Sequence, residues 1–106
     1  MAEKRGGKRS RKRLLVDFET TSGRTTGFTH DVSPDGMFVR TIRIAQVGKG
    51  LHAIVHLPDG RQVPIDGIVV RSYRAPVALR SLVPTGFAIH LSAERPPEFV
   101  EYASHL

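Results

Sequence analysis

The sequence predicts a mainly β domain: six antiparallel strands closed into a barrel or sandwich, ending in one short α-helix. Three observations carry this. Apolar and polar residues alternate in a series of separate runs. Short segments rich in Gly, Pro, Asp and Ser punctuate them. After Pro96-Pro97 the period changes, once, from two to that of a helix. At 106 residues the chain suits one domain with one modest core. We divide it into a flexible basic arm, residues 1–12, and a β domain, residues 13–106.

The arm, Met1–Lys12, has no apolar period and dense like charge, so it should lack structure when free. Leu14, Val16 and Phe18 then share one strand face, with Asp17 and Glu19 on the other. Thr20–Thr26 has the composition of a turn, and Gly27–Val32 forms a second strand. Pro34-Asp35-Gly36 is turn chemistry, with Gly36 assigned a positive φ. Met37–Ile44 is a third strand, with Phe38 opposite Met37 and Val39. Leu51, Ala53, Val55 and Leu57 point inward from the fourth strand. Pro58–Arg61 is a hairpin signal. Gln62–Tyr73 is a long fifth strand, expected to bend or bulge at Gly67. Ala75–Pro84, with a proline near each end, is a loop. Thr85–Leu91 is the last strand, with Phe87, Ile89 and Leu91 on one face. Pro96-Pro97 can open a helix, whose stripe is Phe99, Val100, Ala103 and Leu106.

The net charge is +6, and its placement is informative. Residues 1–13 hold seven Lys or Arg against Glu3 alone, while residues 14–106 hold nine of each sign. The body is neutral and the arm carries the excess. Such an arm suits a phosphate-bearing partner, although it also serves as a plain solubilising tail. There is no cysteine, so disulfides and thiolate chemistry are excluded. No apolar run approaches the roughly 20 residues that span a bilayer. The basic start lacks the apolar segment of a secretory signal. These features lead us to expect a cytoplasmic protein without membrane insertion. His52 and His56 lie roughly 13 Å apart along a strand, too far to share a metal ion. His30, His90 and His105 lack ligand spacing, so no metal site is expected. No G-x-S-x-G elbow is present, and Glu94, Glu98 and Glu101 look like a solvated helix face. We therefore expect a non-enzymatic protein without a cofactor.

Two groups of residues could bind a ligand. Arg9 and Arg13 stand four apart in the arm, a span of roughly 13 Å when extended. An arginine is a planar fork of donors that grips phosphate or guanine O6 and N7. Arg5 and Arg9 have the same spacing; Arg13 is favoured because it abuts the first strand. Asp31 and Ser33, at i and i+2, share a strand face. A carboxylate can accept from guanine N1–H and N2–H together, a pairing adenine does not offer. Gly36 permits a turn or a close backbone approach. The same Asp and Ser types are also ordinary turn formers that bond their own backbone.

Taken together and in this order, Arg9-x-x-x-Arg13 and Asp31-x-Ser33-x-x-Gly36 resemble the motif pair of the PilZ domain family of bacterial cyclic di-GMP receptors. The likeness continues through Gly36–Thr41, Gly60–Arg71 and Thr85–Ile89, and covers residues 9–106. It implies a six-stranded antiparallel β-barrel with cyclic di-GMP at its rim. Arg9 and Arg13 would contact phosphates and a guanine Hoogsteen edge, and Asp31, Ser33 and Gly36 would hold a guanine. The arm would order on binding and signal to a downstream partner protein. The competing readings are a nucleic-acid-binding barrel and a ligand-independent interaction module. Five Phe and two Tyr, mostly at inward positions, do not supply a stacking platform for nucleic acid.

Overall fold

The computed structural model describes residues 9–20, 23–43 and 45–106. Seven strands form one sheet: β1 (Ser10–Arg11), β2 (Leu15–Thr20), β3 (Gly23–Ser33), β4 (Gly36–Arg40), β5 (Gly50–His56), β6 (Gln62–Tyr73) and β7 (Gly86–Leu91). The order β3-β2-β5-β6-β7-β4 returns to β3, because β4 also pairs with β3. Every pairing is antiparallel. The result is a closed six-stranded barrel, and closure removes the exposed edges of an open sheet. β1 adds to β3 beyond the end of β2.

The alternating residues fill the barrel as their period requires. Val16 and Phe18 of β2, Ala53 and Val55 of β5, Ile65 and Val69 of β6, and Phe87 and Leu91 of β7 are buried in one cluster. Phe18 and Phe87 meet edge to face, with ring centroids 5.1 Å apart. Helix α1 (Pro97–Ser104) begins with Pro97 in its first turn. It adds Phe99 and Ala103 to the core. Tyr102 and Leu106 pack beside them, and Val100 is half-buried.

The structure corrects several local expectations. The turn assigned to Thr20–Thr26 is tighter, since β3 already starts at Gly23 and pairs there with Thr20. β4 ends at Arg40, short of the expected Ile44, which lies outside the described residues. Strand pairing begins at Ser10, within the segment expected to be arm; residues 1–8 lie outside the described residues. The bulge in β6 falls at Val70, between Val69 and Arg71, and not at Gly67. The loop over Ala75–Pro84 contains a single 3-10 turn, Val77–Leu79.

Gly36 has an ordinary φ, so the positive φ expected of it is wrong. Its smallness serves a close approach. A Cβ there would stand 2.0 Å from the Ile89 carbonyl oxygen on β7. Gly86, at the other end of the same strand pair, would bring a Cβ to 1.8 Å from the Val39 carbonyl oxygen. The short β4–β7 crossing is thus pinched by a glycine at each end. We expect Gly86→Ala to cost roughly 1–3 kcal/mol by forcing backbone apart. Gly50→Ala, whose Cβ meets nothing nearer than 3.9 Å, should stay within about 0.5 kcal/mol. Urea denaturation of both variants checks this; equal midpoints would refute the steric account.

Candidate functional site

The site grows from two bulges that face each other across β3. Along β3, Gly27, Thr29 and Val32 are buried. The step from Thr29 to Val32 is one residue too long for simple alternation, because His30 is an extra residue against β4. The slip leaves Asp31 and Ser33 on the face opposite Val32, which fills the core. On the other side, Arg11 pairs with Asp31 and Leu15 with Phe28. Lys12 and Arg13 therefore oppose His30 alone.

A buried hydroxyl secures this hinge. Thr29 Oγ1 accepts from the Leu14 amide at 2.8 Å and donates to the Lys12 carbonyl oxygen. The Thr29 amide donates to the Leu14 carbonyl at 2.9 Å. These bonds satisfy backbone groups that the bulge takes out of the ladder. Beyond the hinge the arm lies along β3, and Arg9 reaches Asp31. Its Nε and Nη2 stand 3.0 and 2.7 Å from the same oxygen, Oδ1.

Arg9, Ser33 and Gly36 border one cleft of about 550 Å³, within the usual range of small-molecule sites, roughly 300–1,000 Å³. Arg71 supplies a second cation, Val70, Ala88 and Ile89 apolar surface, and Asp35 and His90 more of the polar rim. Asp31 adjoins the cleft through its ion pair with Arg9. The Ser33 hydroxyl, almost fully buried, accepts from the Asp35 amide at 3.2 Å and donates to the Gly36 carbonyl at 3.5 Å. It therefore shapes its own turn. Arg95 holds that turn from outside, bonding the Asp35 carboxylate and, at 3.4 Å, the Pro34 carbonyl.

Arg13 is not brought into this cleft. Its guanidinium carbon lies 4.0 Å from the centroid of the Phe28 ring. It borders a smaller hollow of about 270 Å³ with Arg11, Lys12, Thr29, His30 and Arg40. Arg5, the alternative partner of Arg9, lies outside the described residues. Sequence reasoning missed Val70, Arg71, His90 and Arg95. One signal was available for Val70: Ile68-Val69-Val70 cannot all point inward from a strand, and Ile68 and Val70 are in fact exposed. Nothing in the pattern marks Arg95.

A profile of the PilZ domain family matches residues 3–96 of the chain. The chain belongs to the PilZ domain family. PilZ domains are generally non-enzymatic binding and adaptor domains of cyclic di-GMP signalling, and they interact with partner proteins. Among solved structures, the chain is similar to one titled Structure of Bacillus subtilis Inhibitor of motility (MotI/DgrA), with a TM-score of 0.78 at 18% identity. That likeness shows the fold. It covers 97% of this chain and 49% of the other, so this PilZ domain spans about half the length of that protein. No curated protein matches the chain. Among the described residues no helix is long and apolar enough to cross a membrane, and no group of His, Cys, Asp or Glu could hold a metal ion.

His30 gives the hinge a pH dependence. Partial burial, and then Arg11 and Arg40 nearby, push its pKa below the ordinary 6.5, against the opposing pull of Asp31. The unfolded chain therefore holds the proton more tightly than the folded one. The contribution to stability is complete above about pH 6.5 and is lost as the pH falls toward the folded pKa. We expect the urea midpoint to fall less for His30→Gln than for the wild type between about pH 7 and pH 5. Parallel profiles would show that His30 is not the group responsible.

Proposed function

We propose that the chain is a cyclic di-GMP receptor that takes the ligand in the cleft between Arg9, Asp31, Ser33, Gly36 and Arg71. The observation that carries this is the Arg9–Asp31 pair at the edge of a mixed polar and apolar cleft. Both groups have the chemistry of guanine recognition. Asp31 accepts from the Watson–Crick edge, and Arg9 donates to the Hoogsteen edge or a phosphate. Without ligand they occupy each other. The pair is partly exposed, with Arg9 at 49% and Asp31 at 21% of side-chain accessibility, so it is worth about 0–1 kcal/mol. Guanine can replace one donor to Asp31 with another at little cost.

Arg13 would join by leaving Phe28. An exposed cation–π contact holds it by about 0.5–1 kcal/mol, against roughly 1.5–3 kcal/mol for a hydrogen bond to a charged group. The dianionic ligand would thereby draw both arginines to one place and order the arm over the barrel. Each newly ordered residue costs about 1–2 kcal/mol, which charge-assisted bonds must offset. The ordered arm would be the signal passed to a partner protein.

The test is a calorimetric titration with cyclic di-GMP, cyclic di-AMP and GMP at ~150 mM salt. We expect one-site binding selective for the guanine dinucleotide, weakened at least about tenfold by Asp31→Ala and by Arg9→Ala. Arg13→Ala separates the two arginine registers: loss of binding supports Arg9 with Arg13, and unchanged binding moves the pair to Arg5 with Arg9. Absence of heat with any dinucleotide would end the receptor reading.

A further inference from the structure

The end of the barrel where β4 finishes and β7 begins carries a second surface. Arg40 pairs with Gly86, and Gly86 also pairs with Tyr73. The two connections that start there are tied together. The Thr41 amide donates to the Thr85 carbonyl at 3.0 Å, the Ala75 amide to Thr85 Oγ1 at 2.8 Å, and Ser72 Oγ to the Ala45 carbonyl. The connection from β6 to β7 is not a loose loop. It folds on itself through the 3-10 turn, with the Leu82 and Val83 amides each 2.9 Å from the Leu79 carbonyl.

This ordered connection turns its large aliphatic side chains outward. Val77 and Leu82 are each 78% exposed, and Ile42, in the neighbouring connection, is 75% exposed. Single exposed aliphatics need no explanation, but these three stand on two connections that are hydrogen-bonded to each other at one end of the barrel. The charge that lines the hollow beside Ile42 is of one sign. Arg40, Arg74 and Arg80 border one hollow of about 250 Å³ together with Ile42. Neither Gly36–Pro58 nor Gly67–Ala93 contains an acidic residue. Every aspartate in the sequence is already engaged elsewhere, with Arg9, Arg61, Arg95, His52 or His56. Among the described residues no carboxylate pairs with these three arginines.

We infer that this end of the barrel docks an acidic, amphipathic segment of a partner protein: its aliphatic side chains on Val77, Leu82 and Ile42, its carboxylates on Arg40, Arg74 and Arg80. Two features favour protein over membrane. The cations are all arginine, whose planar fork matches a carboxylate in two bonds, and arginine is enriched in protein interfaces. The apolar group is three side chains spread over two short connections, whereas interfacial anchoring uses a long apolar helix face. The hollow beside Ile42 shares no lining residue with the dinucleotide cleft, so docking does not need that cleft occupied.

The test uses the whole chain without nucleotide and fluorescence anisotropy of labelled peptides of about four helical turns. One alternates Leu and Glu with helical spacing, a second replaces Glu by Lys, and a third replaces Leu by Ser. We expect binding of the Leu/Glu peptide alone, weakened about fivefold or more by Leu82→Ser and by Arg74→Glu, and weakened by raising salt from ~50 to ~300 mM. Both substitutions are at the surface and should leave the urea midpoint unchanged. Equal binding of the Lys peptide, or unaltered binding by Leu82→Ser, would overturn the proposal. So would silence of the Leu/Glu peptide beside Leu82-dependent binding to phosphatidylglycerol vesicles. Failure of the cyclic di-GMP titration would leave this result standing, and the converse also holds.

Discussion

The Thr29 hydroxyl is the contact on which the geometry of the arm depends. It is 2% exposed and bridges the two ends of the bulge, from the Lys12 carbonyl to the Leu14 amide. Leu14 on one side of it belongs to the core. Arg11 on the other side pairs with Asp31. A continuous strand through Lys12 and Arg13 would carry the opposite phase and send Arg9 and Arg11 to the other face. An unbridged bulge would leave a buried amide without a partner, a cost of about 1–3 kcal/mol. One side chain therefore lets the chain change phase between a buried strand and an arm that borders the cleft. The facing bulge at His30 does the same for Asp31 and Ser33, and the two slips must occur together for cations and carboxylate to meet.

The electrostatics follow a second constraint: all five aspartates are committed. This explains how a chain with a neutral body presents a cationic surface. The aspartates sit on strands and turns beside their own partners, and Arg11 and Arg13 of the arm and the arginines of the β4–β7 end are left with the long reach of their charge. Arg40 borders both the hollow under Arg13 and the one lined by Ile42. It joins the arm to the opposite end of the barrel without crossing the core.

Much of this was legible in the sequence, and the remainder shows why some was not. The strand phases of β2, β5 and β7 follow from alternation, since a two-residue period leaves one register that buries Val16, Val55 and Phe87. The bounds of β6 at Gln62 and Tyr73 are those the turn residues mark. The helix follows from Pro97 and the spacing of Phe99 and Ala103. The bulges at His30 and Val70 were not legible, because a bulge is a property of two paired strands and neither strand alone encodes the partner's count. For the same reason Gly36 was assigned to turn conformation. Its true constraint is the Ile89 carbonyl, more than fifty residues away in sequence. The Arg9–Asp31 contact joined two residues that the motifs had named separately, while Arg13 stands over Phe28, a ring whose exposure the alternation does not reveal.

A closed barrel also decides where change can occur. Six strands pair on both sides, so moving any one breaks two ladders of hydrogen bonds. β1 pairs on one side only, through two residues. Besides the Thr29–Lys12 bond, it is held by the partly exposed Arg9–Asp31 pair and the Arg13–Phe28 contact, these two worth about 1 kcal/mol or less each. Ordering a residue costs at least as much. The arm beyond the Thr29 contact is therefore balanced closely enough that a few charge-assisted bonds decide its position, while Leu14 and the barrel strands that follow are fixed by burial. A ligand that competed for Arg9 and Asp31 would act on a part of the fold whose position the core does not settle.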